Sequence, residues 1–186
     1  MARWTPDARS RLTLAALDLY LEQGFEQTTV AEIAARAGLT ERTFFRHFAD
    51  KREVLFGGSA MLEEAMTGAV EQAAEARPVD LMLAAVEAAG PFFGDDPGWA
   101  RRRQQVVMAT PALLERELIK LHGLGDTLAA ALARRGVAPA VATLSARLGI
   151  VVFWETFVRW VQAAPPVDWS VTARQVWQEM QAVAGA

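Results

Sequence analysis

Residues 28–55 read TTVAEIAARAGLTERTFFRHFADKREVL and decide the fold class. Thr29 and Glu32 have the spacing of a capping box, in which each side chain satisfies a backbone N–H group of the other residue. Apolar residues follow this cap at the three- and four-residue spacing of an amphipathic helix. Gly38 can take a positive-φ turn, and Thr40 can then cap another helix. The stretch therefore predicts two short helices joined by a tight turn.

The rest of the sequence also predicts helices. Thr5 is placed to cap a first helix that ends at Gly24, and no long run alternates apolar and polar residues as a strand would. Pro, Gly and Asp residues divide the remainder into further predicted helices. These cover residues 51–75, a segment that ends at residue 89, and residues 100–108, 111–134, 139–163 and 168–183. The predicted fold class is all-α.

Composition limits the classes of function. Apolar residues make up 52% of the 186, and the mean hydropathy of +0.12 suggests that a partner subunit or a ligand covers some apolar surface. The chain has no cysteine, and its N-terminus lacks the apolar segment of a signal peptide, so nothing points to export. The longest stretch without a charged residue is 11 positions, fewer than the ~18 that a membrane-spanning helix needs. We expect a cytoplasmic protein that does not contact a membrane.

Charge is distributed unevenly along the chain. The net charge is −3, but residues 1–52 carry eight Arg or Lys against seven Asp or Glu, whereas the remainder carries eleven against fifteen. A protein that coats nucleic acid without specificity usually has a strongly basic balance. Any contact with DNA is therefore expected in the N-terminal part.

The two short helices have the arrangement of a helix-turn-helix, whose second helix lies in the major groove of DNA. Arg42 can offer a bidentate pair to guanine, and Thr43 can touch a thymine methyl group or a phosphate. His47 and Lys51 are expected to bind phosphate, with Lys51 at the start of the fourth helix. Glu41 can accept from cytosine N4 or simply repel phosphate. The residues that we assign to DNA binding are Thr28, Thr29, Thr40, Glu41, Arg42, Thr43, Phe45, His47 and Lys51.

The same stretch resembles the TetR family of transcriptional regulators over about fifty residues. The matching features are the threonine pair, the Ile-Ala and Ala-Gly pairs, the aromatic pair, the Arg-His-Phe run and the following lysine. Phe45 departs from the family, in which Tyr is frequent, so the hydroxyl that would hydrogen-bond phosphate is missing.

The resemblance implies a division of the chain. Residues 1–50 would form a three-helix, helix-turn-helix DNA-binding domain, and residues 51–186 a helical bundle for ligand binding and dimerisation. It also implies a homodimer that binds double-stranded, pseudo-palindromic operator DNA. As a repressor, such a dimer would leave its operator when a small molecule binds.

Residues 141–162 are apolar nearly all round, which indicates a helix that is buried on every side. Proteins of the TetR type dimerise through their last two helices, which pack as a four-helix bundle. The resemblance therefore places the dimer interface in residues 142–161 and 171–183, with contacts at Leu148, Val152 and Trp177. The same residues can instead form the core of one subunit.

A ligand pocket is expected among aromatic, methionine and arginine residues, because small-molecule sites are mostly apolar and arginine suits carboxylates and phosphates. The residues assigned to it are Phe92, Phe93, Trp99, Arg102, Arg103, Met108, Arg147 and Trp154. The arginine run at 101–103 and the segment TPALLERE resemble a TetR subgroup that is described as binding acyl-CoA-like ligands. An acyl-type anion, another apolar molecule and no ligand at all remain open, because the arginines can instead pair with Glu115 and Glu117.

Two other classes of protein remain as alternatives. A helical enzyme would need catalytic groups, but His47 and His122 are the only histidines and no metal, nucleotide or nucleophile motif is present. We predict no catalytic residue, no metal and no cofactor. A non-specific architectural DNA-binding protein would bind without a sequence optimum, whereas a specific regulator would select a symmetric site.

Overall fold

A computed structural model describes residues 7–94 and 97–184. Over that range the chain is helical and has no strand, so the predicted all-α class is confirmed. The helices are α1 (Ala8–Gln23), α2 (Val30–Arg36), α3 (Glu41–His47), α4 (Ser59–Gln72), α5 (Pro78–Ala88), α6 (Gly90–Phe93), α7 (Gly98–Ala109), α8 (Pro111–Arg134), α9 (Pro139–Gln162) and α10 (Trp169–Ala184).

Two predicted helix starts differ from the structure. The predicted helix over residues 51–75 is wrong at its beginning, because a 3₁₀ turn (Glu53–Phe56) and a Gly-Gly pair precede α4, which begins at Ser59. Glycine is a poor helix former, so this pair favours a break. The first helix begins at Ala8, where the side chain of Asp7 accepts a hydrogen bond from the backbone of Ser10. The predicted cap, Thr5, lies outside the described residues.

The chain forms two compact units. The first extends to Gly58 and includes residues 102–117, and the second comprises residues 59–101 and those from Leu118 onward. The first unit therefore reaches past the predicted domain boundary at residue 50. It also takes in parts of α7 and α8, because Val107 and Leu113 are buried in the same core as α1 and α3. Side chains so distant in sequence cannot be assigned to one core from local patterns.

The second unit is built on α4, α5, α9 and α10, whose buried side chains form one apolar cluster. A Cβ atom at Gly149 would lie 2.9 Å from the side chain of Met82, so glycine lets α9 approach α5 closely. Trp169 donates its indole N–H to the carbonyl of Val86 at 2.7 Å and thereby fixes α10 on α5. This packing makes α9 a core helix.

The helix α9 is long and apolar enough to meet the length and composition test for a membrane span. Of its most apolar window, 44% is buried inside the protein, and Arg147, Glu155 and Arg159 lie along the helix. Core helices of soluble proteins meet the same test, so the composition of α9 is weak evidence for a membrane span.

Candidate nucleic-acid interface

Threonine caps set the start of both short helices. Thr29 Oγ1 accepts from the backbone N–H of Glu32 at 3.2 Å, and the Glu32 carboxylate accepts from the backbone N–H of Thr29 at 2.8 Å. The predicted capping box is confirmed. Thr40 Oγ1 caps α3 by accepting from the backbone N–H of Thr43 at 3.2 Å, and the two hydroxyls lie 3.1 Å apart. The Thr43 hydroxyl is thus hydrogen-bonded within the cap.

The turn between α2 and α3 is held by backbone geometry and by one distant arginine. Gly38 has a φ of +64°, a backbone conformation that residues other than glycine rarely adopt. Arg11, on α1, donates to the carbonyl oxygens of Ala37 and Gly38. A Cβ atom at Gly38 would lie 2.8 Å from that guanidinium. Arg11 therefore fixes the turn that aims α3, a role that its position in the sequence did not reveal.

The helix α3 has one buried and one exposed side. Phe44 and Phe48 are buried against the first unit's core. Arg42, Phe45 and Arg46, at the i, i+3 and i+4 positions of one helix face, are exposed. In the described part of the chain, Arg42 has no ion-pair partner. The exposed side of α3 therefore offers two cations and one aromatic ring to a partner.

Two further residues lie beside this face. Glu41 is exposed on the first turn of α3, and His47 is half-buried on the last, within 3.5 Å of Arg46. The predicted DNA contacts on α3 and at its cap are thus brought together on one surface. Arg46 belongs to the same surface, although the sequence did not predict it as a DNA contact.

Thr28 is not on this surface. Its side chain is buried, and its hydroxyl donates to the carbonyl of Gly24 at 2.8 Å. The assignment of Thr28 to DNA contact was therefore wrong for the side chain. The first residue of the threonine pair closes the turn between α1 and α2, and only the second is exposed.

The side chain of Lys51 is also hydrogen-bonded within the protein. Its ammonium donates to the carbonyl oxygens of Phe25 at 2.8 Å, Thr28 at 3.0 Å and Glu26 at 3.3 Å. It lies 4.3 Å from the centre of the Phe25 ring. These contacts occupy its three N–H donors, so the phosphate contact that we predicted for Lys51 is wrong. Its expected place at the start of the fourth helix is wrong too, because α4 begins at Ser59.

The main chain of Lys51 is held as well. The buried hydroxyl of Tyr20 donates to the Lys51 carbonyl at 2.6 Å, and burial raises the pKa of this phenol above its usual value. Lys51 thus ties the segment after α3 to both α1 and the turn that follows it.

Residues 12–56, which contain this surface, match the family described as bacterial regulatory proteins of the tetR family. The chain is also 35% identical, over 134 residues, to the transcriptional regulator TcmR of Streptomyces glaucescens. Residues 12–56 thus belong to the TetR family, and the likeness to TcmR extends beyond them. The match to TcmR covers 68% of this chain and 59% of that protein, so it spans less than two thirds of the relative.

Two solved structures share the fold of nearly the whole chain. One is the regulator FadR of Bacillus subtilis in complex with stearoyl-CoA, with a TM-score of 0.60, 18% identity, and 91% of this chain and 95% of that one covered. The other is a complex of SmeT with triclosan, with a TM-score of 0.63, 18% identity, and 92% and 90% covered. At this identity the likeness establishes the fold alone, and TcmR, the relative matched over 134 residues, is named as a transcriptional regulator and not as an enzyme.

Two of the arginines predicted to bind a ligand pair with acidic side chains instead. Arg102 pairs with Asp18, and Arg103 pairs with Glu117 at 2.6 Å, both within the first unit. Arg103 also donates to the carbonyl of Leu55 at 2.9 Å. The assignment of these two arginines to a pocket was therefore wrong, and the alternative pairing with Glu117 is confirmed. Met108 belongs to the same unit and is exposed.

The other predicted pocket residues lie in the second unit, in different surroundings. Phe93 stacks on Trp169 with ring centres 4.7 Å apart, inside an aromatic cluster. Phe92 and Trp99 are each 37% exposed, and Trp154 is half-buried at the edge of the core. Arg147 pairs with Asp126 at 2.7 Å. In the described ranges, no group of three His, Cys, Asp or Glu side chains is placed to hold a metal ion.

The predicted dimer residues have different surroundings. Val152 is fully buried in the core of its own unit, so its assignment to a subunit contact was wrong. Leu148 and Trp177 line an open, mostly apolar groove of about 650 Å³ between α5, α9 and α10. Val141 and Leu144 of α9 line the same groove and are exposed.

Proposed function

We propose that the chain is a sequence-specific DNA-binding transcriptional regulator that reads DNA with the exposed side of α3. The observation that carries the proposal is the exposure of Arg42, Phe45 and Arg46 on a short helix whose opposite side is buried and whose start is capped. Such a helix is held at a fixed angle, so its side chains can reach base edges in register. A bacterial regulator of this kind works in the cytoplasm, where the DNA is.

The small number of cations on α3 favours specific recognition over architectural binding. The exposed side of α3 carries two arginines and a histidine beside one carboxylate, Glu41, while the net charge of the whole chain is negative. Non-specific affinity comes almost entirely from phosphate contacts and grows with their number. With few cations available, base contacts by Arg42 must supply a large share of the affinity.

Operator binding by this chain requires a dimer, because half-sites one helical turn apart are read by two copies of the recognition helix. The apolar groove, which includes the exposed Val141 and Leu144, supports an interface on α9 and α10. On α10, Val171 and Val183 are also exposed. A two-fold pair of such faces would cover apolar area that a single subunit leaves in water.

The second unit would act as the sensor of a small molecule. FadR and SmeT, which share the fold, are described in complex with stearoyl-CoA and with triclosan. An apolar ligand, or the apolar chain of an acyl ligand, suits a unit whose core is aromatic and aliphatic. Ligand binding lowers operator affinity only if the ligand prefers the conformation that does not bind DNA.

The test is selection of bound sequences from a pool of random double-stranded DNA with the purified chain. The proposal predicts enrichment of a motif with two-fold symmetry and half-sites about 10 base pairs apart, centre to centre, or a multiple of this spacing. A retained pool without a motif would identify an architectural protein. A motif without symmetry would contradict the dimer and leave specific binding in place.

A further inference from the structure

Phe45 is the exposed apolar side chain of the recognition helix. It is 56% exposed, although it sits between two arginines on the side of α3 that is turned away from the core. Its ring meets that of Phe44 edge to face, with centres 5.4 Å apart, so a buried residue restricts its orientation. An aromatic ring held in this way presents a defined apolar surface to whatever approaches α3.

The chemistry of the major groove leaves one apolar group for such a ring. Base edges there carry hydrogen-bond donors and acceptors, except for the C5 methyl group of thymine. Phe45 cannot hydrogen-bond a phosphate, because its side chain has no hydroxyl group. The arginines beside it, Arg42 and Arg46, can hold phosphate or guanine while the ring faces the methyl group.

Thr43 is the other side chain on α3 with a methyl group for this contact. It is half-buried, and its hydroxyl and backbone N–H both engage Thr40 in the helix cap. Its position is therefore set by the cap. Phe45, by contrast, extends into open space from the same helix.

We propose that Phe45 reads the C5 methyl group of a thymine in each half-site and thereby sets the preference for thymine at one position. This inference rests on the proposed function, because it specifies one contact of the sequence-specific complex. Affinity at that position then depends on the methyl group itself and not only on base pairing.

The first test uses the wild-type chain and its selected operator, with each thymine replaced in turn by deoxyuridine, which lacks only the methyl group. One symmetric position is expected to lose about fourfold in affinity per half-site, the effect of one buried methyl-sized group. If no thymine of a specifically bound operator shows a loss, the inference is overturned. Failure of the selection to give any motif would instead contradict the proposed function.

The second test identifies the residue that makes the contact. Phe45→Ala is expected to bind the thymine and deoxyuridine operators equally, while Leu14→Ala, an exposed apolar residue of α1 in the same unit, keeps the difference. Helix content measured by circular dichroism shows whether each variant is folded. Retention of the full difference by Phe45→Ala would overturn the inference.

A third measurement needs no variant. The deoxyuridine-sensitive thymine is replaced by 5-iodo-deoxyuridine, whose iodine takes the place of the methyl group and forms photo-crosslinks to nearby aromatic rings. Mass spectrometry of the irradiated wild-type complex is expected to find the crosslink at Phe45. A crosslink at another residue in its place would assign the methyl contact to that residue and contradict the inference.

Discussion

Lys51 shows how one side chain can fix the geometry of a binding surface without belonging to it. Its ammonium joins the carbonyls of Phe25, Glu26 and Thr28, just before the cap residue of α2. The turn that these carbonyls form positions the exposed Thr29, which opens the helix-turn-helix. The Lys51 cation thus stabilises the fold, and in the proposed complex the charge that contacts DNA comes from α3.

Removal of the Lys51 side chain should therefore weaken the fold. Lys51→Ala leaves three carbonyls without their charged donor, and we expect a loss of about 1.5–3 kcal/mol in the free energy of unfolding, measured with urea. The salt dependence of operator affinity should stay unchanged, because no phosphate contact is lost. Arg52→Ala, whose exposed side chain pairs with Asp50, is the matched control and should be close to wild type. Unchanged stability together with a shallower salt dependence would show that Lys51 contacts phosphate after all.

Arg42 should specify a base pair. Arg42→Ala is expected to relax the preference at one position of each half-site by about 1–3 kcal/mol, as the loss of a bidentate contact to guanine would. The measurement is operator affinity for all four bases at each position. Arg134→Ala, on α8 and paired with Glu71, provides the control and should leave the profile unchanged. A uniform loss at every sequence would instead make Arg42 a phosphate contact.

At the scale of single elements, the caps of α2 and α3 were correctly predicted because their partners are three residues apart. The positions of Arg11 and Lys51 could not be predicted in the same way, since their acceptors lie more than twenty residues away. The helix α4 offers a further example. Its C-terminal carbonyls accept from the guanidinium of Arg135, whose nearest acceptor, the carbonyl of Ala73, lies at 2.8 Å. Such contacts depend on the folded path of the chain.

The capping box of α2 should make part of the stability depend on pH. The backbone N–H and then the hydroxyl of Thr29 donate to Glu32, and they hold the pKa of this carboxyl below its ordinary value of 4.5. Because the pKa is lower in the folded state, the stabilisation is present above pH 4.5 and is lost as the pH falls through the folded pKa.

Glu32→Gln tests this dependence, since glutamine can keep the capping box but does not titrate. Between neutral pH and about pH 3, the free energy of unfolding should fall less in Glu32→Gln than in the wild type. Glu64→Gln, an exposed residue of α4, should follow the wild type. Identical pH profiles for Glu32→Gln and the wild type would show that the cap does not contribute to acid sensitivity.

At the scale of the whole molecule, the fold class and most helix bounds were predicted from apolar spacing and from Pro and Gly positions. The capped helices of the helix-turn-helix were predicted because their signals are local, and the assignment of Arg42 and its neighbours to DNA binding stays a prediction. Arg102 and Arg103 were placed in a pocket, but they find partners in Asp18 and Glu117 far along the chain. Composition alone cannot show which of several arginines is already paired.

The proposed dimer should depend on the exposed apolar side chains of α9. Leu144 is 64% exposed in the single subunit, and the partner would cover it in the proposed dimer. Leu144→Glu would bury an unpaired charge in that interface, which is energetically costly. We expect a monomer by sedimentation velocity and a loss of operator affinity. Met61→Glu, at the similarly exposed Met61 on α4, should remain dimeric. A dimer of unchanged stability in Leu144→Glu would move the interface elsewhere.

We claim that α3 reads the sequence of DNA, and a single ratio of dissociation constants measures such recognition. This ratio compares the dissociation constant for the selected operator with that for a scrambled duplex of equal length and composition, at physiological salt. Sequence-specific recognition predicts that the operator binds at least ~10³-fold more tightly. Equal affinity for the two duplexes would contradict the claim and identify a protein that holds DNA without reading it.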